Sequence, residues 1–372
     1  MKIPQLFLVL IFFSFTGCNQ EPAEELPLKE VFEDYFLIGA ALDNRMVLGD
    51  DPKSLELAEY HFNSITPENK LKWERVHPEP GHFYFDAADQ FVNFGEANNM
   101  FIVGHTLVWH NQTPDWVFLD DDGHPVSREE LLERMRNHIH MVVGRYKGRI
   151  HGWDVVNEAL NNDGTLRQSP WLEIIGEEYI AKAFQFAHEA DPEAELYYND
   201  YSLEIPEKRE GAVRIAEQLM EQGIPITAIG TQGHYSLDWP SLDEIRNTIS
   251  DISALGLDVM ITELDLDVLP SATEYEGADI NLQVELQDEL NPYPDKLPEE
   301  MQHKLAERYA DIFEIFADNR DEISRVTFWG VTDGDSWKNN WPVRGRTNYP
   351  LLFDRDGNPK LAFYAVVETV KN

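Results

Sequence analysis

From residue 35 onward, short apolar runs alternate with longer stretches whose apolar residues recur at three- and four-residue spacing. Runs such as YFLIGAAL (35–42), FIVGHTLVW (101–109) and DVMITELDL (258–266) are rich in β-branched and aromatic residues and nearly apolar throughout. That is the signature of strands covered on both faces. The stretches that follow them, such as REELLERMRNHIHMVVGRY (128–146), carry the helical period and acidic starts. The run-then-helix pairs are 35–42 with 53–61, 62–65 with 86–99, 101–109 with 128–146, 150–157 with 172–190, 194–200 with 209–223, 226–234 with 242–256, 258–266 with 299–319, and 325–333 with 360–370. Eight β–α repeats predict an α/β fold, a TIM (β/α)8 barrel, as a single domain over 35–372. One connection breaks the rhythm: residues 268–298, after the seventh strand, form a long polar insertion expected on the top face.

The N-terminus has a different pattern. MKIPQLFLVLIFFSFTGC has an early Lys, an apolar stretch and small residues before Cys18, the sole cysteine of the chain. It is too short to span a membrane and resembles a bacterial lipoprotein signal over 1–17, with Cys18 as the lipid attachment site. The polar, acidic residues 18–34 are expected to act as a tether. The expected localisation is secreted and lipid-anchored, at the outer membrane, with the membrane touched through the anchor alone and the protein a monomer.

Charge narrows the partners. Asp and Glu number 68 against 30 Lys and Arg, a net charge of −38. A nucleic acid would need a basic footprint, and a polyanionic polymer would be repelled. A neutral ligand fits, and the nine Trp, several in loop-like contexts, offer flat faces for it.

Barrel enzymes build their sites at the C-terminal ends of the strands. Glu68, Asn69 and Lys72 follow the second run; His105 and Trp109 lie on the third; Asn157 and Glu158 end the fourth. Asn199, Asp200 and Tyr201 end the fifth, Gln232 and His234 the sixth. Glu263, Asp265 and Asp267 lie on the seventh, and Trp329, Asp333, Asp335 and Trp337 on the eighth and its loop. Singly, many have plain structural readings: Glu158 a solvated acid in a turn, His105 a core histidine, Trp109 packing, and Asp267, Asp333 and Asp335 loop caps. As a set they describe a cleft with carboxylates on opposing walls and indoles between. No metal is expected, since the one H-x-H pair, His138 and His140, lies within a helical pattern and H-E-x-x-H is absent. A serine nucleophile lacks its G-x-S-x-G elbow. Two carboxyls from strands four and seven suit glycoside cleavage, retaining or inverting according to their separation.

The segments GHTLVWHNQTPDWVF, WDVVNEAL, TQGHYS, ITELD and FWGVTDGDSW, in this order, resemble glycoside hydrolase family 10, the endo-β-1,4-xylanases. The resemblance implies a retaining hydrolase of xylan or xylo-oligosaccharides that needs no cofactor. It makes Glu158 the general acid/base and Glu263 the nucleophile. Asn157 would bond the sugar 2-hydroxyl, His234 would orient Glu263, Asp265 would orient His234, and Gln232 would lie near the acid/base. Glu68, Asn69, Lys72 and His105 resemble the hydroxyl-binding set on the glycone side. Trp109, Trp329 and Trp337 resemble its indoles, and Tyr201 the aromatic on the leaving-group side. The insertion at 268–298 departs from the family pattern. Two other readings stay open: a surface xylan-binding lipoprotein that has lost catalysis, and a β-glucan-active hydrolase of the same fold.

Overall fold

The structure is a computed structural model and describes residues 26–271 and 284–371; the signal, Cys18 and the middle of the insertion lie outside them. Eight parallel staves close on themselves. They are β1 (Leu37–Leu42), β2 (Ser64–Pro67), β3 (Phe101–Trp109), β4 (Gly152–Asn157), β5 (Glu195–Asp200), β6 (Ala228–Thr231), β7 (Asp258–Asp267) and β8 (Ile323–Phe328). Each pairs with its sequence neighbours, and β1 returns to β8 through Leu37↔Arg325, which completes the ring. The main helix after each strand packs outside: α1 (Pro52–His61), α2 (Asp86–Ala97), α3 (Arg128–Arg145), α4 (Tyr179–Ala190), α5 (Pro206–Glu221), α6 (Leu242–Ser253), α7 (Glu299–Asp318) and α8 (Leu361–Glu368). This is the TIM barrel that the repeat pattern predicts.

Local chemistry explains many of the boundaries. Asp51 caps α1 by accepting from the Ser54 N–H, with Pro52 in the first turn where its missing N–H costs nothing. Ser127 and Ser241 cap α3 and α6 by accepting from the N–H of Glu130 and Glu244, the S-x-x-E spacing of a capping box. The floor of the barrel is filled by Val103, Tyr197, Ala228 and Met260. The buried Arg325 guanidinium stands 5.3 Å from the ring centres of Phe101 and Tyr197.

Three expectations need correction. The helix expected over 172–190 is two, because Gly176 at φ 91° ends Pro170–Ile175 before α4 begins. The sixth strand breaks at Gln232–Gly233 and resumes as His234–Ser236, with Gly233 at φ 80°. The tether expected over 18–34 ends earlier, since residues 28–31 form a helical turn. Leu28 and Phe32 are fully buried, and the Phe32 ring packs 5.2 Å from Phe36 and 5.5 Å from Phe313. Burying two such side chains contributes roughly 1.5–3 kcal/mol each, which draws this segment into the domain. The described end of the insertion lies against the β8 loop. The Val284 N–H bonds the Pro342 carbonyl at 2.8 Å, and the Tyr349 hydroxyl donates to the Tyr293 carbonyl at 2.7 Å.

Candidate active site

Asn157 and Glu158 are consecutive, and in a regular strand they would point to opposite faces. Both reach the same cleft because Glu158 stands at φ 56°, outside the β region. A non-glycine residue there costs about 1–3 kcal/mol, so the surroundings must hold it. Its N–H donates to the Asn199 carbonyl at 2.9 Å, and its carbonyl accepts from Arg167 Nε at 3.2 Å. The carboxyl is gripped in turn. Trp109 Nε1 donates to Oε2 at 2.8 Å, and Gln232 Nε2 and Asn157 Nδ2 approach Oε1 at 3.0 and 3.3 Å. Burial pushes the Glu158 carboxyl above the usual range, and the negative charges of Asp200 and Glu263 add to the rise against the Gln232 and Trp109 donors.

Glu263 arrives from the opposite wall by a different device. The pairing of β7 with β8 slips between Ile261↔Val326 and Leu264↔Phe328, three steps on one strand against two on the other. A bulge of this kind re-aims side chains. Thr262 and Glu263 both meet Asn199: the Thr262 hydroxyl donates to its Oδ1 at 2.6 Å, and its Nδ2 donates to Glu263 Oε1 at 2.9 Å. Gly230 makes room for this, because a Cβ there would lie 2.6 Å from both Asn199 Oδ1 and Thr262 Cγ2. On its other oxygen Glu263 has His234 Nε2 at 3.2 Å. His234 Nδ1 faces Asp265 Oδ1 at 3.0 Å, and Trp337 Nε1 donates to Asp265 Oδ2 at 2.8 Å.

The proton affinities of the two glutamates are thereby pushed in opposite directions. Burial alone would lower the His234 pKa, but the charges and hydrogen bonds of Asp265 and Glu263 raise it to about 9, so at neutral pH the ring donates on both sides. Burial alone would raise Glu263. The His234 hydrogen bond, with His105, His234 and Lys72 as positive neighbours, outweighs it and holds the carboxyl below its ordinary value. A chain of carboxamides joins the two sites, for Asn199 Nδ2 also donates to Asn157 Oδ1 at 3.0 Å.

Every residue expected to contact substrate, except Tyr201, lines this one cleft together with both glutamates. Glu68, Asn69, Lys72, His105 and Trp329 form one side; Lys72 Nζ lies 3.1 Å from Asn69 Oδ1 and 4.9 Å from the Trp109 ring centre. Asp265 is fully buried behind His234, where the sequence reading puts it. Tyr201 is the exception. Its ring is buried beneath the strand ends, with Lys208 Nζ 3.4 Å from its centre and Arg167 donating to its hydroxyl at 2.6 Å. The leaving-group aromatic expected there is not supplied by this residue.

Asp333 pairs with Lys360 at 2.9 Å, Asp335 accepts from Thr332, and Asp267 from Arg346 and Asn348, all loop-holding roles. His138 lies in α3, stacked 3.6 Å from Trp73. The sequence reading places Asn199 at a strand end but gives it no partner or role. It also missed Asp154, which holds His105 Nδ1 at 2.8 Å, and Gln112 and Trp341, which respectively line the cleft and stack 4.5 Å from Trp337.

The arrangement sets a carboxyl of raised proton affinity and one of lowered affinity in the same cleft, as proton donation beside nucleophilic attack requires. Comparison with known proteins identifies the family. The model of the family described as Glycosyl hydrolase family 10 matches residues 27–369. The Endo-1,4-beta-xylanase A of Xylanibacter ruminicola is 46% identical over 355 residues, covering 95% of each chain. The Beta-1,4-xylanase of Dictyoglomus thermophilum is 44% identical over 368 residues, covering 98% of this chain and 97% of that one. Among solved structures, a GH10 endoxylanase retrieved from sugarcane soil metagenome matches with a TM-score of 0.88 at 46% identity, covering 93% of this chain and all of that one, 100%.

Proposed function

The chain belongs to glycosyl hydrolase family 10, and from that membership we propose that it is an endo-β-1,4-xylanase that cleaves internal bonds of xylan with retention, Glu158 acting as acid/base and Glu263 as nucleophile. The observation that carries the residue roles is that two carboxyls of one cleft have opposite surroundings, Glu158 among negative neighbours that raise its proton affinity and Glu263 under the His234 and Asn199 donors with its affinity lowered. Environments that push two pKa values apart assign an acid and a base.

In the first step a Glu263 oxygen bonds to the anomeric carbon as the carbon–oxygen bond to the leaving sugar breaks. The Glu158 proton passes to that oxygen. Glu263 is now an uncharged glycosyl ester, and one of the charges that raised Glu158 has gone. Its proton affinity falls, and Glu158 can take a proton from water. The water oxygen bonds to the anomeric carbon, the ester bond breaks, and both glutamates return to their starting states. Asn157 is suited to donate to the sugar 2-hydroxyl, where a contact strengthens as positive charge develops. Trp109 has two duties in this scheme: its ring faces the cleft and its N–H steadies Glu158.

Activity needs Glu263 ionised and Glu158 protonated, so a lowered Glu263 and a raised Glu158 widen the active range on both sides. His234→Asn removes a positive neighbour from Glu263, and the acidic limb of kcat/KM should move up by roughly one unit. A limb that stays in place in this variant argues against His234 as the group that keeps Glu263 charged.

Substrate and stereochemistry are tested together by digesting xylan beside a mixed-linkage β-glucan and following the new reducing ends by proton NMR. The proposal expects xylan to be preferred, with the β-anomer appearing first and equilibrating later. An α-anomer at the earliest times, or preferential attack on the glucan, contradicts it.

A further inference from the structure

We infer that Asp200, held by Lys208 in a buried ion pair beneath the strand ends, is a positioning residue for Glu158 that both ties down its loop and supplies a standing negative charge beside it. The inference rests on the acid/base role proposed above for Glu158.

Asp200 is the last residue of β5, and Lys208 lies in the first turn of α5. Their charged atoms are 2.8 Å apart and neither side chain is exposed, at 0% each. The carboxylate has further partners. Oδ1 accepts from the Tyr201 N–H at 2.9 Å. Oδ2 accepts from the Tyr198 hydroxyl at 2.5 Å and from the Leu160 N–H at 3.3 Å. Leu160 is two residues beyond Glu158, so Asp200 pins the exit of β4. Tyr201, displaced from the cleft, completes the assembly: its ring covers Lys208, and its hydroxyl holds the Arg167 that also grips the Glu158 carbonyl.

Stability does not explain this pair. Removing two charges from water costs several kcal/mol per ion, and replacing a buried pair with neutral groups is often harmless. A neutral amide, with one accepting oxygen where these donors use two, would keep only part of the tie. The carboxylate serves the loop by accepting on both oxygens, including from the Leu160 N–H two residues beyond Glu158, and its charge also raises the proton affinity of Glu158. The two acids then divide the task. The charge of Glu263 disappears when it is glycosylated, whereas that of Asp200 persists through the cycle. Asp200 sets the constant part of the Glu158 proton affinity, and Glu263 the part that switches. The other charged groups acting on Glu158 are Lys72, Arg167 and Lys208, which oppose Asp200. His110 and Tyr179 are the remaining titratable neighbours of its loop.

The test is Asp200→Asn, which keeps the shape, removes the charge and gives up the hydrogen bonds accepted by one of the two oxygens. The basic limb of kcat/KM on an unactivated xylo-oligosaccharide reports the free-enzyme acid. It should fall by roughly half a unit to one unit. Loss on an activated aryl xyloside, whose departure needs no proton, should be smaller. A uniform loss on both substrates with the limb unmoved would mean that Asp200 only supports the fold, and would overturn the inference. If this variant does not fold, Lys208→Met, which removes the opposing positive charge and leaves Asp200 in place, is measured in the same way; the limb should then rise, and an unmoved limb again contradicts the inference. Glu158→Ala separates the two layers. Equal losses on activated and unactivated substrates in that variant remove the acid role itself. A leaving-group-selective Glu158→Ala beside an unmoved Asp200→Asn limb removes only the role of Asp200.

Discussion

Glu263→Ala should lower turnover of xylan by at least about 10⁴-fold, since loss of a nucleophile leaves only the contribution of binding and the remaining groups. Its affinity for xylan should change little. Glu263 has fixed partners of its own in Asn199 and His234, while the indoles and the Lys72–Asn69–Glu68 side of the cleft remain to hold sugar. Removing the carboxylate also leaves the protonated His234 without one of its two acceptors, so the ring should titrate below its present value of about 9. The measurement is kcat for xylan together with binding of a xylo-oligosaccharide by calorimetry. Near-normal turnover, or a loss wholly in affinity, would remove the nucleophile assignment.

Glu158→Ala should behave differently, and the difference is diagnostic. For xylan, whose leaving group is a poor one, the loss should be about 10²–10⁴-fold. For an aryl xyloside with a good leaving group the first step needs no proton, and that step should be far less affected. The second step then lacks its base, so the glycosyl-enzyme should accumulate and a burst of aryl product should precede slow turnover. Azide needs no deprotonation. It should attack the anomeric carbon, break that carbon's bond to the Glu263 oxygen and yield a β-xylosyl azide with restored turnover. Equal losses on both substrates, with no rescue by azide, would argue that Glu158 merely shapes the cleft.

The barrel was largely legible because its signal is local. Apolar runs of strand length and periodic helices repeat eight times, and capping residues such as Ser127 and Ser241 mark the starts. Failures occurred where distant residues decide. Leu28 and Phe32 look like stray apolar residues in an acidic segment until Phe313 is folded against them. The apolar spacing of 172–190 runs straight through Gly176, so the break was hidden. In the site, strand-end position and motif pointed to the two glutamates, but not to the devices that aim them. The left-handed turn at Glu158 and the bulge before Leu264 depend on pairing with neighbouring strands. Asn199 and Asp154 were missed as partners for the same reason: each acts on a side chain distant in sequence, 64 and 49 residues away. Tyr201 reads alike in sequence whether its ring faces the cleft or the interior. Lys208, one turn into α5, decides for the interior.

The central claim is that a covalent bond forms between the sugar and Glu263 while Glu158 manages the proton. The most direct measurement is peptide mass spectrometry after incubation with an activated xylobioside bearing fluorine in place of the 2-hydroxyl, which slows both steps and lets a good leaving group favour accumulation of the ester. The account predicts one added xylobiosyl unit per chain, located on the peptide that contains Glu263. No adduct under conditions where the leaving group is released, or an adduct on Glu158, would contradict it.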